Sequence, residues 1–327
     1  MEYVKLGKTG VDVSRLCLGC MSFGDPAWTV HPWVLDRDAS MPFFERAVEA
    51  GINFFDTADM YSQGVSEEIT GEAVLRLMPR REAVIATKLG LPMGKGPNSA
   101  GLSRKRIVDC VEDSLERLGT DYIDILYIHR LDNQTPMAEI AEGLAHVVGQ
   151  GMVRYLGASS MYAWQFAKLR EMQREIGCPP FAVMQNFYNL LYREEEREMI
   201  PYCQSEGVAL VPWSPLARGF LAGNTPKDGE ATRRGSTDPR SQEYFGSEAD
   251  YAITAIVADI ALERGVKPAQ IALAWVLAQS AVTSPIIGAT KMNHLDDAIA
   301  ALKITLSPEE IARLEAPYRP RAVMGHS

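Results

Sequence analysis

Ser103-Arg-Lys-Arg-Ile-Val-Asp-Cys-Val-Glu-Asp-Ser-Leu-Glu-Arg-Leu-Gly119, followed shortly by Ile123-Asp-Ile-Leu-Tyr-Ile-His129, decides the reading of the fold. In the first stretch Ile107, Val111, Leu115 and Leu118 recur at helical spacing, Ser103 is placed to cap the start, and Gly119 stops the run. The second stretch is short, nearly continuous and apolar, as expected for a parallel strand covered on both faces. One unit is therefore helix then strand, with a histidine just past the strand end.

The same alternation extends in both directions. Further strand candidates are Leu16–Leu18, Asn53–Phe55, Ala83–Thr87, Val153–Gly157, Ala182–Gln185, Ala209–Trp213 and Ser284–Ile287. Helical patterns fall between them at Ala39–Ala50, Met137–Gln150, Ala163–Glu175 and Ala252–Glu263, with a last run at Leu295–Leu302. Tyr3 to Ser14 reads as a hairpin. Eight strands alternating with helices predict a (β/α)8 barrel, a TIM barrel, with an N-terminal β-hairpin. The alternative, a doubly wound open sheet, would need fewer strands and usually a phosphate loop at the first turn. No G-x-G-x-x-G follows the first strand, and Gly7-Lys8-Thr9 lacks the first glycine of a P-loop. No fixed-period repeat or linker divides the chain, so residues 1–327 are expected to form one domain. A long loop, Arg218 to Asp250, rich in Gly, Ser, Thr, Pro and Asp, is expected after the seventh strand, on the catalytic face.

Composition narrows the function. The 327 residues are 46% hydrophobic and 23% charged, with a net charge of −9. That balance is globular, and its sign argues against nucleic acid as the main partner. No apolar run reaches the ~20 residues of a membrane span, and the start lacks the pattern of a signal peptide. Five cysteines without framework spacing read as reduced thiols of a cytoplasmic protein. Cys17 and Cys20 form a C-x-x-C, but they lie inside and just past a strand rather than opening a helix. With five histidines and no H-x-H or H-E-x-x-H pattern, no catalytic metal is expected.

Four reactive side chains sit at or just past strand ends, where chemistry gathers in such a barrel. Asp56 follows Phe54-Phe55, Lys88 follows Ala86-Thr87, His129 follows Ile128, and Tyr61 lies in the loop after Asp56. The set suits protonation of a carbonyl oxygen. A lysine ammonium beside Tyr61 is expected to lower the phenol's pKa from ~10. Asp56 would hold Lys88 charged, and His129 would orient the carbonyl. None of the four supplies a hydride, so a nicotinamide must. Each residue alone also reads as structure: a salt bridge closing the barrel, a histidine bonded to backbone, a tyrosine packed on a loop. Two other functions remain. Lys88 is placed to form a Schiff base in an aldolase, or the chain is a nicotinamide-binding regulatory or sensor module with little turnover.

From end to end the sequence resembles the aldo-keto reductase superfamily. The resemblance is carried by Tyr3-Val-Lys-Leu-Gly-Lys-Thr-Gly10, Leu18-Gly-Cys-Met-Ser-Phe-Gly24 and Gly51-Ile-Asn-Phe-Phe-Asp-Thr-Ala-Asp-Met-Tyr61. It continues through Ala86-Thr-Lys88, Asp121 to His129, Gly157-Ala-Ser-Ser160, Pro212-Trp-Ser-Pro-Leu-Ala-Arg-Gly219 and Pro285-Ile-Ile-Gly-Ala-Thr-Lys291. Among subfamilies it looks most like bacterial NADPH-dependent reductases of sugar and deoxyxylulose-phosphate metabolism. The resemblance implies an NADPH-dependent reduction of a small carbonyl substrate, an aldehyde, ketone or sugar. Asp56, Tyr61, Lys88 and His129 would be the catalytic tetrad, with Tyr61 as the acid.

The resemblance also implies a cofactor site for NADPH/NADP+. Met21 and Asp56 would approach the nicotinamide ribose. Ser159, Ser160 and Gln185 would hold the carboxamide, and Trp213 would stack on the ring. Ser214, Leu216, Arg218 and Gly219 would line the pyrophosphate. Gly288, Thr290, Lys291, His294 and Asp297 would take the adenosine end, where many relatives carry arginine at the position of His294. The helical run after Lys291 fits this, since a helix start favours phosphate. Among other residues, Trp28 and Trp33 read either as pocket lining or as packing for the first loop. Arg130 is expected to pair with Asp132 or to meet a polar substrate. Glu194-Glu-Glu196 reads as a solvated helix start. The sequence assigns neither a particular substrate nor an oligomeric state.

Overall fold

The computed structural model describes residues 1–28, 30–223 and 244–326. Strands β1 (Tyr3–Lys5) and β2 (Asp12–Ser14) form the antiparallel hairpin. Eight parallel strands follow: β3 (Cys17–Gly19), β4 (Phe54–Asp56), β5 (Val84–Leu89), β6 (Ile123–Ile128), β7 (Val153–Ser159), β8 (Val183–Gln185), β9 (Ala209–Leu210) and β10 (Ile286–Ile287). Their order is β10-β3-β4-β5-β6-β7-β8-β9. The two ends meet: Thr283 N donates to Leu210 O at 2.8 Å, and Ile286 N to Pro212 O at 2.9 Å. The chain is a (β/α)8 barrel.

The helices are α1 (Arg37–Glu49), α2 (Val65–Leu77), α3 (Arg104–Leu118), α4 (Met137–Gly149), α5 (Ala163–Glu175) and α6 (Met199–Glu206). After them come α7 (Glu248–Arg264), α8 (Pro268–Ala278), α9 (Met292–Ala301) and α10 (Pro308–Glu315). Helix α3 starts as its sequence predicts, with Ser103 accepting from Arg106 N and Gly119 closing it at φ +63°. Helices α2, α6, α8 and α10 lie outside the helical runs expected from sequence, although α10 carries a legible start in Ser307, Pro308 and Glu310. In α8 the reason is plain, because every residue from Ile271 to Val276 is buried and no polar face marks a period. Asp250 belongs to α7, so the predicted loop ends earlier than expected, and residues 224–243 of that loop lie outside the described residues.

Side chains alternate along each strand, and this alternation builds two cores. Cys17, Phe54, Val84, Ala86, Ile125, Tyr127, Val183, Ala209 and Ile286 fill the barrel interior. Leu6 and Val13 from the hairpin join that cluster. Leu18, Phe55, Ile85, Leu126, Leu156, Met184 and Leu210 point outward into the larger cluster with the helices. Burying one such Leu or Phe stabilises the fold by about 2 kcal/mol. Gly157 is needed inside because a Cβ there would fall 2.5 Å from the Tyr127 ring.

One sequence expectation is corrected. Glu194–Glu196 is a 3-10 turn, and Glu194 and Glu195 are buried rather than solvated. The C-terminal tail covers them. Tyr318 donates its hydroxyl to Glu194 at 2.6 Å, Arg321 N donates to the same oxygen, and His326 lies 3.0 Å from Glu195. Among the described residues no helix is long and apolar enough to cross a membrane.

Candidate active site

The inward register of the strands continues past the core and delivers the reactive groups. On β4, Phe54 points inward and so does Asp56; on β5, Val84 and Ala86 lead to Lys88; on β6, Ile125 and Tyr127 lead to His129. The same step of two brings Ser159 on β7, Gln185 on β8 and Trp213 after β9 to the same end. These are the carboxyl ends of the strands, the catalytic face of this barrel.

There Lys88 is fully buried and all three of its N–H groups are used. Nζ donates to Asp56 Oδ2 at 2.5 Å, to the Thr57 carbonyl at 2.7 Å and to the Tyr61 hydroxyl at 3.3 Å. Asp56 Oδ1 accepts from Gln185 Nε2 at 2.7 Å. The Tyr61 and His129 rings stand edge to face, 5.8 Å apart. All four expected tetrad residues therefore converge. Tyr61 begins a 3-10 turn in which Ser62 and Gln63 adopt φ of 49° and 56°. That left-handed turn aims the phenol back at Lys88.

Burial sets the charges. It works against the ammonium of Lys88, yet Asp56 and Tyr61 outweigh it and hold Lys88 above the usual lysine range. Burial pushes Asp56 up, opposed by Lys88 and Gln185. It also pushes the Tyr61 hydroxyl above its ordinary value; Lys88 and Arg130 pull it down but do not overcome burial. The expected net lowering of Tyr61 is thus corrected. Lys88 acts in the expected direction, against a larger desolvation penalty. Burial and the cations Lys88 and Arg130 drive His129 well below its usual range, so its imidazole is neutral.

The residues expected at a nicotinamide are together, though already engaged. Ser160 Oγ accepts from Trp213 Nε1 at 3.0 Å, and Trp213 stacks on Phe187 with centroids 4.4 Å apart. Ser159 Oγ accepts from Arg130 at 3.1 Å, and the Arg130 guanidinium lies over the Trp213 ring. Arg130 also donates to the His129 carbonyl, whereas Asp132 accepts from Leu102 N, Gln134 N and Thr135. Gln185, expected at the carboxamide, has its Nε2 on Asp56.

The pyrophosphate and adenosine expectations fall on two neighbouring segments. Ser214, Ala217, Arg218 and Gly219 all have positive φ, between 48° and 96°. Such turns suit an anion where their backbone N–H groups are free; here Ala217 N donates to the Ser214 carbonyl and Gly219 N to the Leu216 carbonyl. Ser214 Oγ accepts from Arg218 N, which ties the turn. Lys291 stands at the start of α9, and burial and Lys291 push His294 below its usual range. Asp297 is ion-paired with Lys267 at 2.8 Å. Met21 lies in the 3-10 turn after β3, and Gly288 and Thr290 follow β10. The Trp213 ring, the Ser159 and Ser160 hydroxyls and Lys291 at a helix start suit a dinucleotide with an anionic middle.

The remaining side chains are placed as follows. Trp33 is buried beside His31, and Trp28 meets His31 edge-on, so this pair of tryptophans packs the first loop. All five cysteines are free and buried. Among the described residues no group of three His, Cys, Asp or Glu could hold a metal. Sequence reasoning missed the Gln185–Asp56 bond and the C-terminal tail, whose Gly325 packs on Trp213 and Phe187. Nothing local to either segment announces those contacts.

A model of the Aldo/keto reductase family matches residues 15–319. This chain belongs to the aldo/keto reductase family. It is 45% identical to versiconal hemiacetal acetate reductase of Aspergillus parasiticus, over 99% of this chain and 98% of that one. It is 42% identical to a Schizosaccharomyces pombe protein provisionally named an aryl-alcohol dehydrogenase, over 99% and 97%. An aldo-keto reductase of Alternaria alternata is 42% identical over 99% and 94%. These relatives are fungal, not the bacterial members that the motifs lead one to expect. Aldo/keto reductases are oxidoreductases that use nicotinamide cofactors on small carbonyl compounds.

Proposed function

We propose that residues 1–327 form one catalytic domain, a cytoplasmic NADPH-dependent reductase that converts an aldehyde or ketone to an alcohol. The observation that carries this is Lys88 Nζ placed between Asp56 and the Tyr61 hydroxyl, with His129 beside the phenol. NADPH, when bound, supplies the hydride. Tyr61 donates a proton to the carbonyl oxygen, and the adjacent ammonium stabilises the phenolate left behind. Neutral His129 directs a hydrogen bond at the same oxygen and orients the substrate. Asp56 keeps Lys88 charged within an otherwise dry site.

Ser159, Ser160 and Trp213 would receive the nicotinamide end, displacing Arg130 from Ser159. The positive-φ turn at Ser214–Gly219 would take the pyrophosphate by exchanging its internal N–H bonds, and Lys291 the 2′-phosphate that distinguishes NADPH. A neutral His294 adds no charge there, so the preference for NADPH rests on Lys291. A cavity of about 330 Å³ is lined by Leu131, Asn133, Tyr162, Tyr244, Met324 and His326. Neither this cavity nor a larger one of about 630 Å³, around Ser247, Asp250 and Tyr318, is lined by a tetrad residue. The name of the aryl-alcohol dehydrogenase relative favours aromatic carbonyl compounds over plain sugars. Five unbonded cysteines support a reducing compartment.

The charge on Lys88 separates this reading from an aldolase, because a Schiff base needs a neutral amine. A sensor role would leave the cofactor bound with little turnover. The test is NADPH oxidation with a panel of aliphatic, aromatic and sugar aldehydes, repeated with Tyr61→Phe. Turnover that depends on Tyr61 supports the reductase. Cofactor binding without turnover on any carbonyl would favour the sensor.

A further inference from the structure

Strands β4 and β8 stand third and seventh in the eight-strand order, so they face each other across the barrel. One hydrogen bond spans that interior at the level of the chemistry: Gln185 Nε2 to Asp56 Oδ1, 2.7 Å, between two residues each 3% exposed. Asp56 thereby has one donor on each oxygen, Gln185 on Oδ1 and Lys88 on Oδ2. The carboxylate plane is fixed from both sides. Lys88 in turn divides its three protons among Asp56, Thr57 and Tyr61, and the Tyr61 contact is the longest of the three.

We propose that Gln185 is a positioning residue for the Asp56–Lys88 pair and acts on Tyr61 through it. This rests on the reductase reading above, and it differs from a carboxamide contact, which would leave Gln185 acting on the cofactor alone. The physical argument is one of competition. Remove the amide N–H, and Oδ1 becomes a buried carboxylate oxygen without a donor, a costly state. The nearest remedy is Lys88, which can turn to bridge both oxygens. Its weakest commitment, to Tyr61, is the one it gives up. The phenol then loses its stabilising cation.

The other titratable groups around Asp56 do not substitute for Gln185. Cys17 on β3, Cys20 just after it and Tyr127 on β6 are all held neutral by burial, which raises each above its ordinary value. Their effect on Asp56 is therefore a weak dipole. Arg130 and neutral His129 act near Tyr61 and Lys88. Gln185 is the neutral donor that reaches Asp56 directly.

The test begins with the cofactor-free protein. Ultraviolet tyrosinate titration of the parent minus Tyr61→Phe isolates the ionisation of Tyr61. In Gln185→Leu that ionisation should move up by about one pH unit or more, a tenfold change in the equilibrium. In turnover, the acid limb of kcat should also move up, because Asp56 has lost a donor to its charged form. Gln185→Glu keeps the size of the side chain. While its carboxyl is protonated it can donate to Asp56, so turnover should approach the parent at low pH. It should collapse as that carboxyl ionises, since two carboxylates at this distance cannot both be charged without penalty. An unchanged Tyr61 ionisation in Gln185→Leu, with only cofactor affinity reduced, overturns the proposal. Should Gln185→Leu fail to fold, Gln185→Glu decides: a pH profile parallel to the parent's overturns it. A parent protein that oxidises no NADPH would defeat the reductase reading, while the tyrosinate titration would still decide the role of Gln185.

Discussion

Gly24 and Ser62 touch so closely that a Cβ on Gly24 would lie 2.0 Å from Ser62 Oγ and 2.6 Å from its Cβ. Ser62 is itself held at φ 49° and directly follows Tyr61. Gly24→Ala must therefore push the backbone that aims Tyr61. The expected result is a loss of about 1–3 kcal/mol in stability, typical of overpacking, and a larger relative fall in kcat than in cofactor affinity. Adding Ser62→Gly should restore much of both, because glycine accepts a positive φ and removes the colliding atoms. Denaturation midpoints and kcat of the single and double variants give the answer. Independent, additive effects would show that the contact does not position Tyr61.

Tyr61→Phe removes a hydroxyl that meets Lys88 and little else, so folding and cofactor binding should survive. Loss of a positioned general acid typically costs ~10²–10⁴-fold in rate. Single-turnover hydride transfer from pre-bound NADPH should fall by at least the lower figure. Lys88→Met should be as damaging to chemistry. It should also lower stability, since it strands Asp56 as a buried carboxylate. Hydride transfer at the parent rate in Tyr61→Phe would remove Tyr61 from the mechanism.

Asp59 is 1% exposed, and its nearest cation, Arg106, lies 3.9 Å away. Asp59 Oδ1 and Arg106 Nε have no hydrogen-bond partner among the described residues. Burial, with help from nearby Glu67, pushes Asp59 up to about 7. Its folded pKa thus lies above the unfolded value of ~3.9. Below ~3.9 the group is protonated in both states and has no effect. As pH rises from there through about 7, folding increasingly opposes its ionisation and stability falls. Asp59→Asn should match the parent near the acid end and gain on it toward neutral pH. The gain should be on the order of 4 kcal/mol at most, the three-unit shift converted. Urea denaturation across that pH range measures it, and a constant difference at every pH would contradict the assignment.

Lys291 sits exposed at the start of α9, beside the expected adenosine end of the cofactor. A charge-assisted phosphate contact is worth ~1.5–3 kcal/mol. Lys291→Ala should therefore weaken NADPH about tenfold or more and leave NADH nearly unchanged. Fluorescence titration with each cofactor compares the two. Equal losses would place the 2′-phosphate elsewhere.

The local pattern of the chain was enough to define the barrel and much of its site. Alternation by two along Phe54–Asp56, Val84–Lys88 and Ile125–His129 already puts three reactive groups on the interior face at the carboxyl end. Helix α3 announces itself through Ser103, its apolar stripe and Gly119. These signals are legible because each depends on a few neighbouring residues. Helix α8 was not legible, because burial on all sides erases the polar face that a period needs. The charge of the site was only half legible. Sequence places a lysine beside a tyrosine, but whether that lowers the phenol's pKa depends on how dry the pair is. In this fold burial outweighs the lysine.

What tertiary structure alone decided are the contacts between segments far apart in the chain. Gln185 meets Asp56 because β8 closes opposite β4, and Arg130 meets Ser159 because β6 and β7 pair in one register. Glu194 and Glu195 are buried because the C-terminal tail returns to cover them. A run of three glutamates carries no trace of that tail. Residue types and periods fix what each segment can offer; strand order, register and closure fix which offers meet.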